Sequence, residues 1–107
     1  MFGDIFGKLQ DMQQKVDEIK SRLDTVSVAG KSPDGRITVI ANGNRVIKSI
    51  EISEELRNGD PEELEDQIII AMNKALEKAE QLNSTSMAEA GSDLLPPHLM
   101  NLLNNSR

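Results

Sequence analysis

Phe2, Ile5, Leu9, Met12, Val16, Ile19 and Leu23 recur at intervals that alternate between three and four residues. A 3.5-residue period keeps one side of a helix apolar and turns that side toward another helix. The polar side carries Asp4–Lys8, Asp11–Lys15 and Glu18–Arg22, three acid-then-base pairs four residues apart in the favourable orientation. Asp4 or Gly3 is placed to cap the start, and the β-branched pair Thr25-Val26 marks the end.

The period then drops to two. Val26 and Val28 alternate with Ser27 and Ala29, and Lys31-Ser32-Pro33-Asp34-Gly35 supplies turn chemistry. Ile37, Val39 and Ala41 alternate with Thr38 and Ile40 up to Asn42-Gly43-Asn44, a strong hairpin signal. A third strand is expected from Arg45 to Ile52, with Val46, Lys48, Ile50 and Ile52 on one face and Ile47, Ser49 and Glu51 on the other. Together these make an antiparallel meander with one apolar face, Ile40 and Ile47 lying on the more polar one.

Ser53 to Asn58 reads as a single helical turn stopped by Gly59. Asp60-Pro61-Glu62-Glu63 then opens a helix: Asp as N-cap, Pro at the first position, acids facing the positive end of the dipole. Leu64, Ile68, Ala71, Met72, Ala75, Ala79 and Leu82 keep helical spacing, and Ile68-Ile69-Ile70-Ala71-Met72 is apolar all round, which predicts burial on more than one side. Asn83-Ser84-Thr85-Ser86 weakens the helix before Met87-Ala88-Glu89-Ala90 carries it toward Gly91. The predicted fold class is therefore α+β, in the order helix, three-stranded antiparallel meander, long helix (α-β-β-β-α). Residues 1–91 form a single domain and residues 92–107 an irregular tail rich in Leu and Pro. Helices of roughly 30 and 35–45 Å outrun strands of about 20–23 Å. The overhanging apolar stripes therefore protrude, and a second copy is the simplest cover for them.

Composition sharpens this picture. In 107 residues there are two aromatics, Phe2 and Phe6, and no Trp, Tyr or Cys, so Ile, Leu, Val, Met and Ala must build a thin core. Neither a disulfide framework nor a thiolate metal site is available. No signal peptide or membrane span is expected. The net charge of −6 divides into +2 over residues 1–50 and −8 over residues 51–107, so an anionic partner would meet the first half. The single histidine, His98, follows two prolines, and no nucleophile–base pair accompanies it, which argues against an enzyme and against a zinc site. Glu62, Glu63, Glu65 and Asp66 are explained as helix-start acids rather than metal ligands. No metal, cofactor or small-molecule substrate is expected.

Specific strings now join the element order. "PEELEDQIIIAMNKALEKAEQL" (61–82) resembles the long second helix of the YbaB/EbfC family of bacterial nucleoid-associated proteins, and "MFGDIFGKLQDMQQKVDEI" is similar to that family's first helix. "SVAGKSPDGRITVIANGNRVIKSIEIS" (27–53) matches its strand-turn-strand pattern, and "LLPPHL" resembles its Leu-Pro-rich tail. The resemblance implies a tweezer-shaped homodimer that binds double-stranded DNA with weak sequence preference, in the cytoplasm at the bacterial nucleoid.

Against that expectation, Lys31, Arg36, Arg45 and Lys48 are the first DNA-contact candidates, because only Asp34 opposes them between residues 25 and 50. Edge-blunting charges are the alternative reading. Lys8, Lys15 and Arg22, which share one heptad position, and Lys74 and Lys78 form a second set. Their neighbouring acids make salt-bridged, solvated faces the simpler account. Candidate dimer contacts are Ile68, Ile69 and Met72 on the second long helix and Leu9, Met12 and Val16 on the first. With no aromatics among the basic groups, binding by base stacking is not expected. The rival reading is a protein-interaction module that docks through the heptad helix and the apolar tail.

Overall fold

The computed structural model describes residues 2–94. Its elements are α1 (Phe2–Asp24), β1 (Ser27–Lys31), β2 (Ile37–Asn42), β3 (Ile47–Ile52), the single turn α2 (Glu54–Arg57) and α3 (Pro61–Leu94), in the predicted order. The three strands form one antiparallel sheet in the order β1-β2-β3. Of the irregular tail expected from residue 92, the first three residues belong to α3, and residues 95–107 lie outside the described residues.

Alternation on β2 puts Ile37, Val39 and Ala41 on one face, and all three are fully buried. There α3 crosses β1 and β2 with Ala71, Ala75 and Ala79, also fully buried. Alanine permits this close approach, and the facing residue is Gly30 of β1. A methyl group on Gly30 would stand 2.3 Å from the carbonyl oxygen of Ala71 and 2.3 Å from the amide nitrogen of Ala75. Leu56 of α2 closes one end, and Val28, Ile47, Ile52, Leu64, Ile68 and Met72 pack around the rim. Ser53 caps α2 by accepting from the amide of Leu56 at 3.2 Å.

Four sequence expectations are corrected. The third strand begins at Ile47, because Arg45 belongs to the preceding turn with φ of 66°. A register shift between Ile40 and Ala41 pairs Ala41 with Ile47 while Ile40 pairs with Ser49, leaving Lys48 as the extra residue of a bulge. That extra residue reverses the alternation, so Ile47 joins the core face instead of sharing the outer one with Ile40. Helix α3 runs through the weak stretch Asn83–Ser86 as expected but ends at Leu94, past the expected stop at Gly91; packing at Leu82, Met87 and Ala90 supports it there. Finally, the apolar run of α3 is not buried all round. Ala71 is fully buried, Ile69 is 56% exposed, and Ile68, Ile70 and Met72 are half-buried. The cause is that α3 lies along β1 and β2 and leaves its other flank open.

Helix α1 is already helical at Phe2, so Asp4 sits within the first turn and caps nothing. Among the described residues, its heptad stripe is covered at the C-terminal end, where Ile19 and Leu23 pack against Leu82, Met87 and Ala90 of α3. Ile5, Leu9 and Met12 remain 46–54% exposed, Phe6 beside them is 63% exposed, and Val16 is half-buried. The molecule is correspondingly elongated, 66 × 31 × 16 Å.

Candidate nucleic-acid interface

The turn between β2 and β3 is more than a hairpin. Asn42 Oδ1 accepts from the amides of Asn44 (2.9 Å) and Val46 (3.1 Å), which fixes the turn itself. Gly43 N donates to the carbonyls of Leu23 (2.9 Å) and Val26 (3.1 Å), and Asn44 Nδ2 donates to the carbonyl of Lys20 (2.8 Å) and to Asp24 Oδ1 (2.6 Å). These groups satisfy the carbonyls left open at the end of α1. From the other side, Asn83 Nδ2 of α3 reaches Gly43 O and Asn44 Oδ1, both at 3.3 Å. One polar knot therefore sets the position of α1 against the sheet and α3.

The basic side chains fall into two groups, and the division is the opposite of the one the charge pattern suggests. Among the described residues, every ion pair within 4.0 Å belongs to Arg36 or Arg45. Arg36 Nε meets Asp34 Oδ2 at 2.5 Å, and its terminal nitrogen reaches Glu63 in the first turn of α3. Asp34 accepts from the Arg36 amide (3.0 Å) and the Ser32 hydroxyl (3.1 Å) as well. Chiefly that amide bond, with the guanidinium and hydroxyl adding to it, holds the Asp34 carboxyl below its ordinary pKa. Glu63 and Asp34 in turn raise that of Arg36. Arg36 is thus a strut between the β1–β2 turn and α3. Arg45, at the opposite end of the sheet, is paired with Glu80 of α3, whose carboxyl is lowered first by Arg45 and then by the Ser84 hydroxyl.

On α1, by contrast, the expected pairs Asp4–Lys8, Asp11–Lys15 and Glu18–Arg22 are not closed, and Lys20 forms no ion pair among the described residues. Long exposed side chains lose more entropy in such pairs than water-screened attraction returns. Lys31 and Lys48 are likewise exposed and form no ion pair among the described residues. Lys74 is exposed on α3 without an ion pair, and Lys78 donates at 2.8 Å to the Ala29 carbonyl on the outer edge of β1. That contact blunts the strand edge.

Two adjoining depressions share Leu82. One, about 270 Å³, lies between α1 and α3 and is lined by Lys15, Ile19, Arg22, Leu23, Val26, Ser86, Glu89 and Ala90 as well; the other adds Lys78, Gln81 and Thr85. The cleft thus sets Lys15 and Arg22 of α1 beside Ser86 and Glu89 of α3, while Lys78 lines the neighbouring depression with Gln81 and Thr85. The sheet set is not brought together: Arg36 and Arg45 sit at opposite ends, Lys31 extends from β1 and Lys48 from the bulge in β3. Of the dimer candidates, Leu9, Met12 and Ile69 are exposed and Val16 is half-buried, whereas Ile68 and Met72 pack on the chain's own core. Sequence reasoning missed Gly30, Glu63, Glu80 and Asn83. An isolated glycine in a strand is a signal of close backbone approach, but Glu63 and Glu80 lie 27 and 35 residues from the arginines they hold, beyond any local pattern.

No helix among the described residues is long and apolar enough to cross a membrane. In structure the chain is similar to an uncharacterized protein from Helicobacter pylori, with a TM-score of 0.75 over 82% of this chain and 92% of that one at 22% identity. In sequence it is 40% identical over 83 residues to a nucleoid-associated protein of Flavobacterium johnsoniae, covering 78% of this chain and 77% of the relative. A nucleoid-associated protein of Legionella pneumophila is 31% identical over 99 residues, covering 92% and 88%. The model of the YbaB/EbfC DNA-binding family, which is not a class of enzymes, matches residues 1–94, the whole of the described fold, and the chain belongs to that family.

Proposed function

We propose that this protein binds double-stranded DNA at the bacterial nucleoid as a homodimer, through phosphate contacts and with weak sequence preference. The observation that carries the reading is the family match across the whole described fold. The cleft between α1 and α3 supports phosphate contact, because Lys15 and Arg22 line it without closing an ion pair among the described residues, although Glu89 shares the lining. Lys8 continues the same heptad line toward the start of α1. Contacts of this kind attract a polyanion through charge and read no base edges. Two phenylalanines, both in the first six residues, offer no stacking platform.

The exposed side chains of α1 support dimerisation. Ile5, Leu9 and Met12 leave a heptad seam open to water, and a second copy of the same seam is its natural complement. Ile69 of α3 and Ile50 and Val46 near β3 are the other large apolar groups left exposed. The same seam also suits a different protein, and the −8 balance of the second half favours that rival.

Anisotropy of a labelled duplex of ~30 bp, titrated between ~50 and ~200 mM salt, separates the two readings. Phosphate contact predicts a log–log salt slope that falls by ~0.9 for each contact removed. The variant Lys15→Ala/Arg22→Ala is expected to weaken binding and flatten the slope more than Lys31→Ala/Lys48→Ala does. The reverse ranking moves the site to the sheet. A folded dimer that fails to bind duplex at low salt refutes the DNA reading and leaves the protein partner.

A further inference from the structure

Arg45 combines two unusual properties. Its backbone is left-handed, with φ of 66°, where Gly or Asn sits at lower conformational cost and other side chains are uncommon. Its guanidinium and the Glu80 carboxylate are also both about half exposed, at 48% and 54%. An ion pair so open to water contributes little to folding. Neither the turn, which the Asn42 side chain and the Gly43 amide already secure, nor the core explains an arginine here. Strain of this sort at a non-glycine residue points toward function.

The surroundings of Glu80 indicate which function. Its two carboxylate oxygens are taken up separately, Oε2 by the Arg45 guanidinium and Oε1 by the Ser84 hydroxyl at 3.2 Å. Arginine and a hydroxyl donor are the groups that commonly receive a phosphate. We infer that Glu80 is an internal competitor for a phosphate ligand: it occupies a latent anion site formed by Arg45 and Ser84, and a DNA phosphate binds there only by displacing it. Arg36 has no such role. Its guanidinium is tied to two carboxylates and is only 26% exposed, so it stays a strut.

This rests on the DNA-binding reading above and adds a tuning element to it. Duplex binding draws Arg45 away from Glu80, and the ion pair subtracts from affinity in the free protein. Removing the competitor while retaining the site therefore strengthens binding.

The test is a double-mutant cycle on full-length protein with the labelled ~30 bp duplex at low salt. Glu80→Gln is expected to tighten binding by on the order of two- to fivefold per site, the range set by half-exposed ion pairs. Glu77→Gln, one turn away and without an ion pair among the described residues, measures the generic gain from deleting one acid. In an Arg45→Ala background the extra gain of Glu80→Gln over Glu77→Gln is expected to vanish, and Arg45→Lys to restore part of it. Equal gains for Glu80→Gln with and without Arg45 overturn the inference while DNA binding stands. Loss of duplex binding by the parent protein, with its fold confirmed by circular dichroism, overturns both.

Discussion

Replacing Gly30 by alanine tests the tightest contact in the fold. The added methyl meets backbone on α3: 2.3 Å to the Ala71 carbonyl oxygen, 2.3 Å to the Ala75 nitrogen and 2.9 Å to the Ala75 Cα. Ordinary contact begins near 3.4 Å, so α3 must withdraw from β1 by roughly 1 Å. No side chain can yield, and the movement loosens Ala71, Ala75 and Ala79 against Val39 and Ala41. Overpacking of this kind costs about 1–3 kcal/mol, and a rigid backbone obstacle places it at the upper end, about 3 kcal/mol. The loss of unfolded-state entropy on going from Gly to Ala returns less than about 1 kcal/mol. Urea unfolding at fixed protomer concentration is the assay, since self-association shifts apparent stability. With a slope of ~1.5 kcal/mol/M, a net loss of about 2–3 kcal/mol lowers the midpoint by about 1.3–2 M. Because the obstacles are backbone atoms, Gly30→Ala combined with Ala75→Gly is not rescued. Gly7→Ala, with no neighbour within 4 Å of the new methyl, leaves the midpoint unchanged or raises it. A Gly30→Ala midpoint equal to the parent's, or rescue by Ala75→Gly, would refute the close helix–strand approach.

Asn44→Ala removes the donor to Lys20 O and Asp24 and the acceptor for Asn83, and is expected to destabilise by about 1–2 kcal/mol with faster amide exchange in the last turn of α1, measured by NMR. Asp34 and Glu80 have lowered pKa values in the folded state, so their contribution is present at neutral pH and is lost as pH falls through those values, below the ordinary carboxylate range near 4. Stability followed by chemical denaturation is therefore expected to lose a small component there, and the Arg36→Ala/Arg45→Ala double variant to diminish it chiefly through Glu80, because the backbone amide at position 36 still bonds Asp34. An undiminished acid loss in that double variant would contradict the assignment. Leu9→Glu with Met12→Glu introduces charge into the exposed α1 seam and is expected to shift a dimer to monomer in sedimentation velocity without loss of helicity. A dimer that survives the pair of substitutions places the interface at Ile69 and β3 instead.

Where local physics dominates, the sequence was sufficient. A seven-position apolar repeat, an Asn-Gly turn between alternating segments and the Asp60-Pro61 start defined α1, the hairpin and α3 without tertiary information. Strings spread along the chain identified the family through their order and spacing, and the family model covers the helix and strand strings within residues 1–94. The bulge at Lys48 escaped the pattern because one inserted residue moves Ile47 to the core face while Ile52 keeps it, and alternation alone does not reveal where pairing slips. Packing against α1 supports α3 through Asn83–Ser86, and propensity carries no knowledge of that neighbour.

The candidate site was legible as a list of cations but not as an arrangement. Sequence order sets Lys15 and Arg22 beside acids four residues away and leaves Arg36 and Arg45 nearly unopposed. Folding pairs those arginines with Glu63 and Glu80 and leaves the helix cations open. The reason is physical: an exposed i, i+4 pair must hold two long side chains against water, whereas α3 brings Glu63 and Glu80 to the ends of the sheet on a backbone already fixed by the core. Composition and periodicity thus determined the elements and the family. Which charges remain free to meet a phosphate was decided by tertiary structure, through contacts 27 and 35 residues apart in the chain.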